Sequence, residues 1–205
     1  MSSDKKAQLI LAHGAGAGMH NEFMQSMQAL LQAHRIAVHL FDFDYMQTMR
    51  DTGKRRPPDR MPQLMAAFER QLSACLPNLP MFIGGKSMGG RVASMLLQQS
   101  PAIGGICLGY PFHPPGKPDK LRTDHLLTLS KPLLIIQGQK DTFGKQSEVQ
   151  DYPLSPSIHV HFLAEADHSF KPPKRSGFDQ HGHMQQAAQM VNQFIDEQLV
   201  IKGEA

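Results

Sequence analysis

Cysteine is scarce in this chain of 205 residues: there are two, Cys75 and Cys107, far apart and in apolar surroundings. That excludes a disulfide framework and closely spaced thiolate metal sites, and reads as buried thiols in a reducing compartment. Long apolar runs are missing too. Nothing approaches the roughly 18 consecutive apolar residues of a membrane span. The short run in "MSSDKKAQLILAHG" meets glycine too soon for a secretory h-region. A soluble, cytoplasmic protein without a membrane partner is expected. A strong charge of one sign is lacking as well: the formal net charge is +3, too mild to call for nucleic acid. No H-E-x-x-H pair occurs, so a zinc hydrolase has no support and no metal is expected. Internal repeats and long linkers are absent, and a single domain over residues 1–205 follows.

What is present is alternation. Apolar runs stand at 7–12, 36–43, 81–85, 104–110, 132–138 and 158–164. Between them lie stretches of helical period: Leu64, Met65, Phe68, Leu72 and Cys75 on one stripe, then Val92, Met95 and Leu96. The last stripe is Met184, Ala188, Val191, Ile195 and Leu199. These separations suit βαβ units, hence a parallel sheet covered on both faces, a three-layer α/β/α sandwich. Proline pairs at Pro57–Pro58, Pro114–Pro115 and Pro172–Pro173 read as stiff loops on the carboxyl side of that sheet.

The segment "MFIGGKSMGGRVASML" (81–96) poses the chemical question. A phosphate loop ending in Gly85-Lys86-Ser87 requires glycine at position 80, which is Pro80. The pattern that does fit is G-x-S-x-G, from Gly85 to Gly89, between a strand and an amphipathic helix. There a serine occupies a sharp turn, and small residues two before and two after it avoid collision across that turn. Such a serine needs a base, and the base an orienting acid. Asp141 follows the run at 132–138, and His168 follows the run at 158–164. Both therefore fall at carboxyl ends of strands, where catalytic groups of open α/β sheets gather. Asp42 and Asp44, after the second run, are the rival acids. His159 and His161 alternate within a strand, and His181 and His183 fit a solvated turn near a helix start. Lys86 stands at the variable place before the serine, where a structural role suffices.

The first turn, "HGAGAG" (13–18), lies between strand and helix. It departs from G-x-G-x-x-G because Met19 occupies the third glycine's place. A nucleotide-binding reading, with Asp42 or Asp44 on a ribose, is the competitor. The H-G-x-G form instead suits a loop supplying one oxyanion-hole N–H, from Ala15 or alternatively Gly16. Met88 directly after the serine supplies the second. His13 is expected to brace the turn.

With these residues in view, the chain resembles the α/β-hydrolases. It is especially similar to a compact branch sharing "GGKSMGGR" and "CLGYPFHPPGKP", which includes bacterial proteins, a testis-expressed animal protein and a hydrolase-like domain of a histone acetyltransferase complex. More distantly it resembles dienelactone hydrolases. The resemblance runs from about Leu9 to Leu199. It implies a reduced α/β-hydrolase fold of about six mainly parallel strands with no large cap. It also implies Ser87 as nucleophile, Asp141 as acid and His168 as base, with no cofactor. Because some relatives serve in complexes, a non-catalytic interaction module is the alternative.

Segments 47–62, 111–125 and 168–183 together carry 11 basic and 5 acidic residues, against 10 and 13 elsewhere. Positive charge thus gathers where the triad is expected. Arg55, Arg56, Arg60, Lys171 and Lys174 are the candidate rim for an anionic substrate, a solubilising rim being the alternative. The expected partner is a small-molecule ester or thioester.

Overall fold

The structure is a computed structural model that describes residues 5–73, 76 and 78–203. Cys75 lies outside the described residues. Six strands form one sheet: β1 (Ala7–Ala12), β2 (Ile36–Phe41), β3 (Met81–Lys86), β4 (Gly104–Leu108), β5 (Leu133–Gly138) and β6 (Ile158–Leu163). Their order is β2-β1-β3-β4-β5-β6, and every neighbouring pair is parallel.

Composition explains which strands are central. β1, β4 and β5 are buried along their whole length, and β3 is nearly so. Their continuous apolar runs suit a strand covered on both faces. The two edge strands alternate instead. β2 exposes His39, and β6 exposes His159 and His161, which share one face of the sheet as their spacing predicts.

Each face has its own core. On one, Ile10, Ile83, Cys107 and Ile135 pack beneath α3 (Met61–Leu72) and α4 (Met88–Leu97), through Leu64, Phe68, Val92 and Leu96. On the other, Leu9, Leu11, Leu108 and Ile136 meet α1 (Glu22–Ala33) and α6 (Gln180–Gly203), through Met24, Leu31, Val191 and Ile195. Apart from Met95, which joins neither core, and Cys75, the apolar stripes predicted from sequence therefore pack into these cores. No helix among the described residues is long and apolar enough to cross a membrane.

Segment 47–62 is not one loop. Residues Asp44–Thr52 form α2, closed by Gly53 in the left-handed conformation (φ 66°), and the connection to α3 spans only 53–60. Beyond the sheet's carboxyl edge the described residues form no large cap; the last short helix, α5 (Gln146–Val149), is a single turn. Because the chain runs from β1 outward to β2 and returns to β3, the sheet changes direction between β1 and β3. A crevice opens outside the carboxyl ends of strands at such a point. The loop after β1 and the turn after β3 meet there.

Candidate active site

Ser87 links β3 to α4 at φ 52° and ψ −114°. A non-glycine residue in that region stores strain of order 1–3 kcal/mol. The surroundings enforce it. The Ser87 N–H donates to Leu108 O (3.1 Å), and Ser87 O accepts from Arg91 N–H (3.0 Å). The flanking glycines make the turn possible: a Cβ on Gly85 would lie 2.4 Å from the Gly89 carbonyl carbon, and one on Gly89 2.6 Å from both Ala12 O and His13 O. The close approach inferred from G-x-S-x-G is therefore real, and it involves backbone atoms that cannot move aside.

His168 Nε2 lies 2.7 Å from Ser87 Oγ, and His168 Nδ1 lies 2.7 Å from Asp141 Oδ2. Three side chains from the ends of β3, β5 and β6 thus form one hydrogen-bonded chain. Asp141 is fully buried. Its Oδ2 also accepts from the Gln137 side-chain amide (2.9 Å), and its Oδ1 accepts from Phe143 N–H (2.8 Å). The Phe143 ring lies against the imidazole, with centroids 4.3 Å apart. Burial lowers the His168 pKa below its ordinary 6.5; the hydrogen bond to Asp141 opposes this, and the charge on Lys86 adds to it. The imidazole is therefore neutral at neutral pH, able to take a proton from Ser87.

Asp42 and Asp44, the rival acids, serve elsewhere. Asp42 is buried, pairs with Arg50 and accepts from Met19 N–H (2.6 Å), while Asp44 pairs with Arg70 at 2.6 Å. His13 braces the first turn, as expected. Its Nε2 accepts from Phe43 N–H (3.1 Å), so Nδ1 carries the proton and donates to Gly14 O (2.6 Å). Burial lowers the His13 pKa and holds this neutral tautomer. The Tyr45 hydroxyl donates to Ala15 O at 3.1 Å. The 14–17 segment is thereby held over Ser87, and a Cβ on Gly14 would stand 3.6 Å from Ser87 Cβ. Ala15 lines the crevice, and Met88 opens α4. Neither N–H donates to an acceptor among the described residues.

The crevice has a volume of about 550 Å³, and its walls include the 14–17 segment, Phe23, Lys86, Ser87, Phe143 and His168. Arg55, Arg56, Arg60, Lys171 and Lys174 are not among its lining residues, and all five are exposed. Arg55 and Arg56 lie in the 53–60 connection, and Arg60 precedes α3, its N–H held by Gln63 Oε1 (3.0 Å). Lys171 is tied to Asp167 through its backbone. The cation that the structure does place at the crevice is Lys86, which sequence spacing left structural. Gln137 was detectable as the one polar side chain in the apolar run "LLIIQG". Tyr45 and Phe143 carry no comparable signal.

Residues 5–196 match the family model described as "Alpha/beta hydrolase domain". The chain belongs to the α/β-hydrolase family. Among solved structures it is similar to a dienelactone hydrolase from Anabaena variabilis, with 19% identity over 95% of this chain and 88% of that one, at a TM-score of 0.70. It is likewise similar to an α/β serine hydrolase without lid from Xanthomonas campestris, with 20% identity over 92% and 84% of the two chains and a TM-score of 0.67. A third similar structure is an α/β serine hydrolase homologue from Coxiella burnetii, with 16% identity over 93% and 85% and a TM-score of 0.68. At these identities the likenesses concern the fold, and this α/β-hydrolase is read from its own residues.

Proposed function

We propose that this α/β-hydrolase is a serine hydrolase acting on a small ester or thioester through an acyl-enzyme. One observation carries the reading: His168 stands 2.7 Å from Ser87 Oγ on one side and 2.7 Å from Asp141 Oδ2 on the other. In the first half-reaction His168 Nε2 takes the hydroxyl proton as Oγ bonds to the acyl carbon. Asp141 holds the proton on Nδ1 and stabilises the imidazolium that forms. The carbonyl oxygen becomes an oxyanion facing the N–H groups of Ala15 and Met88, preset donors that need no rearrangement during reaction. The imidazolium then protonates the leaving alcohol or thiol as its bond to carbon breaks. In the second half-reaction water gives its proton to Nε2 and attacks the acyl carbon, and Oγ departs as it regains a proton.

A fluorophosphonate probe tests the reading directly. It is expected to label the wild-type protein and not Ser87→Ala, and a panel of short aryl esters and thioesters is expected to be turned over by the former alone. Failure of the folded wild type to label would leave a binding module as the better description.

A further inference from the structure

Lys86 is the side chain the proposed chemistry leaves unused, and its situation is unusual. It is 9% exposed, and its Nζ is buried with no hydrogen-bond partner among the described residues. A buried ammonium without an acceptor is costly, and proteins rarely retain one without a use for it. The charge of Asp141 favours the ammonium, but Asp141 makes no hydrogen bond to it; its oxygens accept from His168, Gln137 and Phe143 N–H. Asp167, whose charge also favours the ammonium, and Glu22 at the crevice are both exposed, and neither hydrogen-bonds Lys86 Nζ. The ammonium also lies close to the imidazole. A Cβ on Gly109 would stand 3.0 Å from Lys86 Nζ and 3.3 Å from His168 Nδ1. The remaining neighbour is the half-buried ring of Phe23, a wall of the crevice, whose centroid is 5.6 Å from Nζ.

From this arrangement we infer, resting on the hydrolase reading above, that Lys86 forms a subsite for a negatively charged group of the substrate, entering past Phe23. The substrate class is an ester or thioester bearing a carboxylate. Unless countered by a negative group, the ammonium opposes the imidazolium that must form when Ser87 loses its proton. A substrate carboxylate beside Nζ supplies the missing acceptor and cancels that opposition in the same event. Selection therefore acts on kcat as well as on KM: the charged substrate both binds and eases the proton transfer. This differs from steering by an exposed basic rim, which changes only encounter.

The test compares matched ester pairs: phenyl hexanoate with phenyl hydrogen adipate, and phenyl acetate with 3-carboxyphenyl acetate. The first pair places the carboxylate on the acyl side and the second on the leaving group. Wild type is expected to favour the charged member of at least one pair about tenfold or more in kcat/KM, part of it in kcat. Lys86→Met and Lys86→Gln are expected to bring that ratio to about one and to raise the inflection of the acid limb with neutral esters. Lys86→Arg is expected to restore part of the preference. The wild-type ratio is also expected to fall as pH rises past about 8, where burial has brought the Lys86 ammonium into its titration range; this arm holds even if the substitutions fail to fold. No preference in either pair, or a preference unchanged in Lys86→Met, overturns the inference while fluorophosphonate labelling of Ser87 leaves the hydrolase reading intact. Absence of labelling and of all turnover removes both.

Discussion

At Ser87 the backbone is held at φ 52° by contacts that begin at Gly85 and end at Gly90. Replacing Ser87 with glycine relieves that strain where alanine does not. Ser87→Gly is expected to exceed Ser87→Ala in stability by about 1 kcal/mol, part of the relief being offset by a freer unfolded chain. Urea unfolding of the two variants measures it. Gln137 illustrates the opposite case, a buried amide with every group engaged. It accepts from Tyr110 N–H (2.7 Å) and donates toward Asp141 Oδ2 and Tyr110 O. Gln137→Leu leaves the Tyr110 N–H without an acceptor, and a loss of about 1–3 kcal/mol is expected in the same assay. The acid limb of kcat/KM reports the free imidazole. Because burial lowers the His168 pKa, that limb is expected to inflect below 6.5, with activity lost as pH falls through the folded value and fully present above it. At this scale the sequence exposes Ser87, Asp141 and His168 because each ends an apolar run. Lys86, Phe143 and Tyr45 stay hidden because their importance lies in pairings across the chain: Tyr45 with Ala15, Phe143 with His168, Lys86 with Phe23.

Among the elements, the central strands are the most legible, since burial on both faces demands an unbroken apolar run. The α2 helix is the least. It buries only Tyr45 and Met46, so no apolar stripe marks it, yet it carries the tyrosine that holds the 14–17 segment. The α1 helix starts at Asn21, whose Oδ1 accepts from Met24 N–H (3.1 Å) and whose amide donates back to Gly18 O. Asn21→Ala removes a cap and an anchor of the same crevice wall. A stability loss of about 1 kcal/mol is expected, with Asn21→Asp keeping most of the capping term; thermal denaturation of the pair distinguishes the two effects. The helix end matters to function because Phe23, two residues on, covers Lys86.

For the molecule as a whole, charge and topology act separately. The sheet's change of direction between β1 and β3 fixes where the crevice opens, whereas the basic side chains of the loops, Arg55, Arg56, Arg60, Lys171 and Lys174, do not line it. Neutralising Arg55, Arg56 and Arg60 together with glutamine is expected to leave kcat unchanged and to lower kcat/KM for a charged ester modestly, by less than about threefold, only at low salt. Stopped-flow rates across a salt series check this. The five candidate rim cations come from composition, which records which loops are basic but not which of their side chains line the crevice. The bareness of the carboxyl edge has one more result. With no large cap among the described residues to be drawn aside by an oil–water boundary, turnover of a sparingly soluble ester should climb smoothly to saturation and show no jump where the substrate begins to form droplets.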